Sequence, residues 1–245
     1  MLLDRLGVLV STEAVSQIHF IGGEKGGVGK SVMARLLAQY WIDRGLPFAG
    51  IDSDASHGAL VRHYGDFSQF VDLRSNDGAD QILDRALGAD RRVLVDLPAQ
   101  SAQALDSWVT GANVLSLARE LGAPITFWHV SDGGFASVQQ LDKALDRYTN
   151  EVAHVVVRNH ARSRDFSQLE SSPAMDKLRA LQGSVIDLPE LDSAAMYKID
   201  SAGLSYWAGA HVAEGDTALK PLERERVKLW LGRAYAQLNS LGTLI

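Results

Sequence analysis

The stretch FIGGEKGGVGKS, residues 20–31, constrains the fold more than any other part of the chain. An apolar run, SQIHFI, leads into it, and an amphipathic stretch follows from Ser31 to about Arg44. Gly26, Gly27 and Gly29 let the backbone wrap closely around a ligand, because no Cβ obstructs the turn. A glycine-rich turn between a strand and a helix aims backbone N–H groups and a helix N-terminus at one point, which favours an anion. The closing Gly29-Lys30-Ser31 is the end of a phosphate-binding loop. There the lysine reaches the β- and γ-phosphates of a nucleotide and the hydroxyl reaches Mg²⁺. Val28 and Val32 complete the candidate nucleotide-binding segment. The strict pattern G-x-x-x-x-G-K-S/T asks for glycine at position 24. Glu24 stands there, with an extra lysine, Lys25, beside it.

The rest of the chain alternates short apolar runs with amphipathic stretches. The runs are FAGI, ending at Asp52, then RVLVDL, PITFWHV, VAHVVVRN and finally SVIDL before Pro189. This pattern predicts an α/β fold, a parallel β-sheet covered by helices on both faces, and the Gly-Lys-Ser loop after the first run makes it one of the P-loop NTPase type. The first helix is expected to bury Leu36, Leu37, Tyr40 and Trp41, with Gly45 as its stop. One helix is expected from residue 101 to Gly122, and another over FASVQQLDKALDRY. A third has Ser172 as cap, Pro173 in the first turn and Gly183 at the stop. At 245 residues, a single domain is expected, with an N-terminal extension (1–16) and a C-terminal amphipathic helix (217–245).

Composition narrows the function classes. No apolar run reaches the ~18 residues of a membrane span. The N-terminus lacks the features of a signal peptide, so a cytoplasmic location is expected. There are no cysteines, hence no disulfide framework and no thiolate metal site. A net charge of −6 argues against wholesale wrapping by nucleic acid and leaves room for a local basic patch.

The polar residues of interest fall just after the apolar runs, and ligands of open α/β sheets bind outside the carboxyl ends of the strands. Asp96 ends an apolar strand, the position of a Walker-B aspartate that holds Mg²⁺ through its water shell. Asp52 and Asp54 follow the second run. Asp54 is assigned to the attacking water or a Mg²⁺-bound water, and Asp52 a supporting part. His57 reads as a polar loop residue. Mg²⁺ is thus expected at Ser31, Asp54 and Asp96, partly through water. The histidines show no metal-ligand spacing.

The segment EKGGVGKS resembles the deviant Walker A motif, x-K-G-G-x-G-K-S/T, of the ParA/MinD family of P-loop ATPases. In that family the first glycine is not required. The resemblance implies that Lys25 reaches across an ATP-bound homodimer to the partner's nucleotide, supplying charge to the transferring phosphoryl group, while Lys30 serves its own subunit. IDSD is similar to the family's switch I, although Asp-Pro-Gln is here Asp54-Ala55-Ser56, and VDLPAQ is similar to its Walker B with switch II. Asn159 matches an asparagine that contacts the adenine edge, and Pro189 begins the segment flanking the base. The guanine-reading Asn-Lys-x-Asp is not evident, so ATP is favoured over GTP. In texture the chain looks most like the TraL/MobD group, which accompanies conjugal transfer or mobilization of plasmids.

The resemblance implies a slow, partner-stimulated ATPase that positions, partitions or transfers a cargo such as plasmid DNA or a protein complex. Two rivals stand beside it: an ATP-dependent metabolic ligase on the same fold, and a non-hydrolysing nucleotide-dependent adaptor. Arg158, Arg162 and Arg164 read either as a non-specific DNA contact or, more simply, as a solvated loop or a nucleotide contact. The last helix carries Leu222, Val227, Trp230, Leu231, Tyr235 and Leu238. Glu223 and Glu225 dilute its positive charge, which favours core or partner docking over membrane binding.

Overall fold

The computed structural model describes residues 16–23, 25–55, 57–88 and 92–245. Most of the expected N-terminal extension, and Glu24, lie outside the described residues. The six apolar runs form the strands β1 (Gln17–Gly22), β2 (Phe48–Asp52), β4 (Arg92–Asp96), β5 (Ile125–Ser131), β6 (Ala153–Asn159) and β7 (Ser184–Leu188). A three-residue edge strand, β3 (Ser68–Phe70), was not anticipated. All seven pair in parallel, in the order β3-β2-β4-β1-β5-β6-β7. Successive side chains on a strand point to opposite faces. Ile18 and Phe20 therefore enter one apolar core while Ile21, from the same strand, enters the other. Because both faces are covered, β1, β2 and β5 are buried along their whole length, which is why they read as mainly apolar runs without a solvent-facing alternation.

Helix α1 (Lys30–Asp43) follows the glycine-rich loop. It was expected to bury one side, yet every residue from Met33 to Trp41 is buried. Helices α2 (Ala59–Tyr64) and α10 (Tyr206–His211) cover the side that faces away from the sheet. The polar residues caught inside are satisfied there. Arg35 Nη1 donates to Asp200 Oδ1 at 2.7 Å, and Gln39 Oε1 accepts from the Trp207 N–H at 2.9 Å. Helix α3 (Asn76–Leu87), capped by Ser75 Oγ on the Gly78 N–H, covers the opposite face.

Two helix expectations need correction. The stretch from 101 to 122 is not one helix but two, α4 (Ala102–Gly111) and α5 (Val114–Glu120). The break is at Asn113, whose φ is +50°, a left-handed conformation that asparagine tolerates better than most residues. Helix α6 (Phe135–Tyr148) is as expected. After the short α7 (Ser167–Glu170), α8 (Pro173–Ala180) begins with Pro173 as foreseen. The Ser172 hydroxyl, however, donates to Leu169 O rather than capping α8. The left-handed residue after it is Gln182, not Gly183. Gly183 is needed for space, since a Cβ there would lie 2.3 Å from Leu178 Cδ1.

The chain ends with α9 (Ser193–Ala202), α10 and α11 (Pro221–Asn239). Helix α11 lays Val227, Trp230, Leu231 and Leu238 into the core shared with α1, and Trp230 Nε1 donates to Pro189 O at 2.7 Å. Leu222, expected on that apolar side, is exposed instead. Among the described residues no helix is long and apolar enough to cross a membrane.

Candidate functional site

Strand β1 lies mid-sheet between β4 and β5, so the loop leaving it emerges at the carboxyl edge beside the ends of both. In that loop Gly27 and Gly29 have φ of +76° and +106°, a region costly for any residue with a Cβ. Gly29 carries a second constraint, because a Cβ there would come 2.2 Å from Asn159 Nδ2. At Gly26 a Cβ would meet nothing of the chain within 4 Å. Lys30 opens α1 and is buried, with Nζ donating to the Lys25 carbonyl at 3.0 Å. Ser31 follows in the first helical turn.

Register places Asp52 and Asp96 side by side, since β2 and β4 pair Asp52 with Asp96, and β1 pairs Ile21 with Asp96. Both carboxylates are buried. Asp52 is fully engaged by the backbone: Oδ1 accepts from the Asp54 N–H at 3.0 Å, and Oδ2 from Leu60 at 2.8 Å and Val61 at 3.2 Å. It thus ties the loop after β2 to the start of α2. Burial still pushes its pKa up, against those three donors. At Asp96 neither carboxylate oxygen has a hydrogen-bond partner of good geometry. Burial drives its pKa up to about 7, and Asp52 and Asp54 add repulsion, while the nearby Ser31 hydroxyl and Lys30 favour the charged form. A buried orphan carboxylate is costly and calls for a cation. The chemistry of the donor set fits Mg²⁺, a hard ion that takes one or two protein oxygens and completes its shell with water and phosphate. Among the described residues no three His, Cys, Asp or Glu side chains form a dedicated metal cage.

The remaining residues of interest are held by the chain itself. Lys25 Nζ is paired with Asp132 of the same subunit, and its backbone N–H donates to Gln140 Oε1 at 2.9 Å. Asp132 also accepts from the Gly134 N–H and the Ser137 hydroxyl at the start of α6. Burial works against its charge, but these donors and Lys25 hold its pKa below the usual carboxylate range. Asp54 stands two residues past β2 and accepts from the His57 N–H at 3.2 Å, with His57 Nδ1 at 3.3 Å. His57 is the exposed loop residue expected, and its backbone N–H and ring both stand beside the Asp54 carboxylate. Asn159 is buried; Nδ2 donates to Val28 O at 2.7 Å and Oδ1 accepts from the Ala161 N–H at 3.0 Å. In this structure it braces the phosphate loop. Pro189 follows β7 and is half-buried, its carbonyl taken by Trp230.

Asp132 and Gln140 were missed by sequence reasoning. Asp132 carried a signal, an acidic residue before Gly-Gly at the start of a periodic stretch, but nothing pointed it at a lysine 107 positions away. The arginine cluster disperses. Arg158 forms a two-pronged pair with Asp187 and also meets Glu170, Arg164 lies 3.7 Å from Glu190, and Arg162 is exposed.

No family model matches the chain. It is 23% identical over 244 residues to Protein TraL of Escherichia coli, covering 94% of this chain and 100% of that protein. It is 24% identical over 180 residues to Protein MobD of Acidithiobacillus ferrooxidans, covering 71% of this chain and 78% of that one. Among solved structures, the cell division ATPase MinD of Pyrococcus furiosus matches with a TM-score of 0.57 at 15% identity, over 93% of this chain and 100% of that one. The MinD cell division protein of Aquifex aeolicus matches with a TM-score of 0.50 at 13% identity, over 88% and 97%.

Proposed function

We propose, on the premise that this chain has the fold of the ParA/MinD ATPases and is similar to TraL along nearly its whole length, that it is an ATP-dependent dimer switch. The observation that carries the reading is Asp96, a buried carboxylate with no hydrogen-bond partner of good geometry, beside a phosphate loop. ATP would be held by the backbone of Gly26–Ser31 and by Lys30, with Val28 and Val32 shaping the pocket and Asn159 and Pro189 flanking the base. Bound Mg²⁺ would neutralise phosphate charge, with the Ser31 hydroxyl holding it and Asp96 and Asp54 reaching it through its water shell. Asp54 would position the attacking water.

Lys25 acts in trans in this reading. In the single subunit it rests on Asp132, with 39% of the lysine side chain exposed. Half-exposed ion pairs contribute only about 0–1 kcal/mol, so exchanging Asp132 for a partner's phosphate costs little. ATP binding pairs two subunits and hydrolysis releases them, slowly until an activating protein or cargo engages. The likeness to TraL and MobD supports a cargo in plasmid transfer or mobilization, DNA or a protein complex. Arg162 and Arg164 are the residues left for non-specific DNA contact.

Sedimentation with ATP, ADP or a slowly hydrolysed ATP analogue tests the switch. Wild type should dimerise with ATP or the analogue and remain monomeric with ADP. Lys25→Ala should bind ATP with modest loss, fail to dimerise, and release phosphate on the order of 10³-fold more slowly. A wild type that stays monomeric with ATP at high concentration refutes the switch. A Lys25→Ala variant that dimerises and turns over normally removes Lys25 from it.

A further inference from the structure

A cavity of about 310 Å³ lies under the phosphate loop on the face of the sheet opposite α1. Its floor is β5 and its walls are α4 and α6. Gly22 and Gly23 close one end, together with Leu97 and Ser101 from the segment after Asp96. The body of the cavity is apolar, formed by Leu105, Phe127, Leu141, Ala144 and the ring of Tyr148. A volume of this size is at the small end of ligand pockets, which run from about 300 Å³.

Two polar side chains of β5 line the floor, Ser131, whose hydroxyl accepts from the Gly133 N–H at 3.0 Å, and His129. His129 is only 7% exposed. Its Nε2 lies 3.0 Å from His154 Nδ1, and His154 Nε2 lies 2.7 Å from Thr149 O. Burial lowers the pKa of both rings, His129 to about 3, so both are neutral. A carbonyl oxygen only accepts, so His154 Nε2 carries the hydrogen and its Nδ1 is a lone pair. His129 must then donate through Nε2, which leaves Nδ1 as an acceptor. Among the described residues that nitrogen makes no hydrogen bond, and the ring lines the cavity. The relay of two imidazoles therefore fixes the tautomer of the floor, as second-layer partners do for any histidine.

We propose that this cavity is a binding site for a small, mainly apolar molecule, one ring with short substituents, that carries a hydroxyl or N–H group donated to His129 Nδ1. The apolar walls supply affinity through surface removed from water. The His129 acceptor in the floor supplies orientation and selects against ligands without a donor, because an unmatched buried acceptor is costly, while Asp106 and Gln140 stand elsewhere in the lining. The cavity shares Gly23, Ser137 and Gln140 with the surroundings of the phosphate loop, and the ATPase reading does not predict it.

The test uses nucleotide-free full-length protein, so its outcome is independent of ATP binding. Phenol, toluene and anisole are titrated while amide and methyl NMR shifts are followed. Wild type should saturate with phenol, shifting signals of Leu105, Leu141 and Ala144, and should bind toluene and anisole about 2- to 10-fold more weakly. Ala144→Phe, which fills the cavity from α6, should abolish all three. His129→Phe should bring phenol down to the level of toluene. If that variant fails to fold, the phenol-to-anisole ratio in wild type decides, since anisole keeps the oxygen and lacks the donor. No saturable binding in wild type, undiminished binding in Ala144→Phe, or equal affinity for phenol, toluene and anisole would each overturn the proposal.

Discussion

Asp52 and Asp96 stand opposite each other in register on neighbouring strands, equally buried, yet the fold treats them in opposite ways. Three backbone N–H groups converge on Asp52, while the oxygens of Asp96 have none. The first is part of the architecture, since it pins the loop after β2 to α2. The second is a group whose partner has to arrive from outside. Two acidic residues at the ends of adjacent strands look alike in sequence, and the difference lies in where the following backbone goes. After Asp52 the chain turns back, and the N–H groups of Leu60 and Val61 are presented to it. After Asp96 it runs on through Leu97 and Pro98, and Pro98 has no N–H to give.

The contrast can be broken from either side. The largest effect is expected at Lys30, which faces the Asp96 side of the pair. Lys30→Ala should reduce ATP binding below detection in calorimetry, because the loop loses the charge aimed at the β- and γ-phosphates. Retained affinity would refute the phosphate-loop assignment. Next comes Asp52→Ala, which should destabilise the nucleotide-free protein by about 3 kcal/mol or more, since buried backbone donors lose their acceptor at roughly 1–3 kcal/mol each. Asp96→Ala should cost far less in the same urea melts. Equal losses would mean that the two carboxylates are both structural.

A pH series sharpens the comparison further. An Asp in an unfolded chain titrates near pH ~4, whereas burial places Asp96 at about 7 in the folded chain. Between those values the folded state binds more protons, so stability falls as pH rises. The contribution is fully present below about pH 4 and gone above about pH 7, an amount on the order of 4 kcal/mol. Asp96→Asn should flatten this slope and leave the smaller, same-signed slope expected from Asp52, whose pKa is also raised. An unchanged slope in Asp96→Asn would contradict the account of its environment. The smallest effect on binding is expected at Asp54. Asp54→Ala should leave ATP affinity nearly unchanged and slow phosphate release, and normal turnover under activating conditions would remove it from water positioning.

Much of this edge was legible in the sequence because its signals are local. Six strands announced themselves as apolar runs, and the Gly-Lys-Ser loop followed the first directly. What stayed hidden was either too short or too distant. Strand β3 has three residues of mixed exposure, too few for a period to emerge. The break at Asn113 sits inside an otherwise continuous helical pattern, where only the backbone angle reveals it. Asn159 meets Val28 across 131 positions, and Lys25 finds Asp132 across 107. Such contacts are set by strand order, which puts β5 and β6 beside β1. Helix α3 was the avoidable miss, since Ser75 as cap and Gly88 after the last turn are ordinary signals.

The central claim is that Asp96 lacks a well-formed hydrogen bond in the chain because it serves a magnesium ion carried by a nucleotide. Calorimetric titration of ATP into wild type and Asp96→Asn, each with and without Mg²⁺, tests it most directly. Wild type should bind ATP more tightly when Mg²⁺ is present, and Asp96→Asn should lose that gain while keeping its metal-free affinity. The same gain from Mg²⁺ in both proteins, or no ATP binding by wild type under either condition, would contradict it.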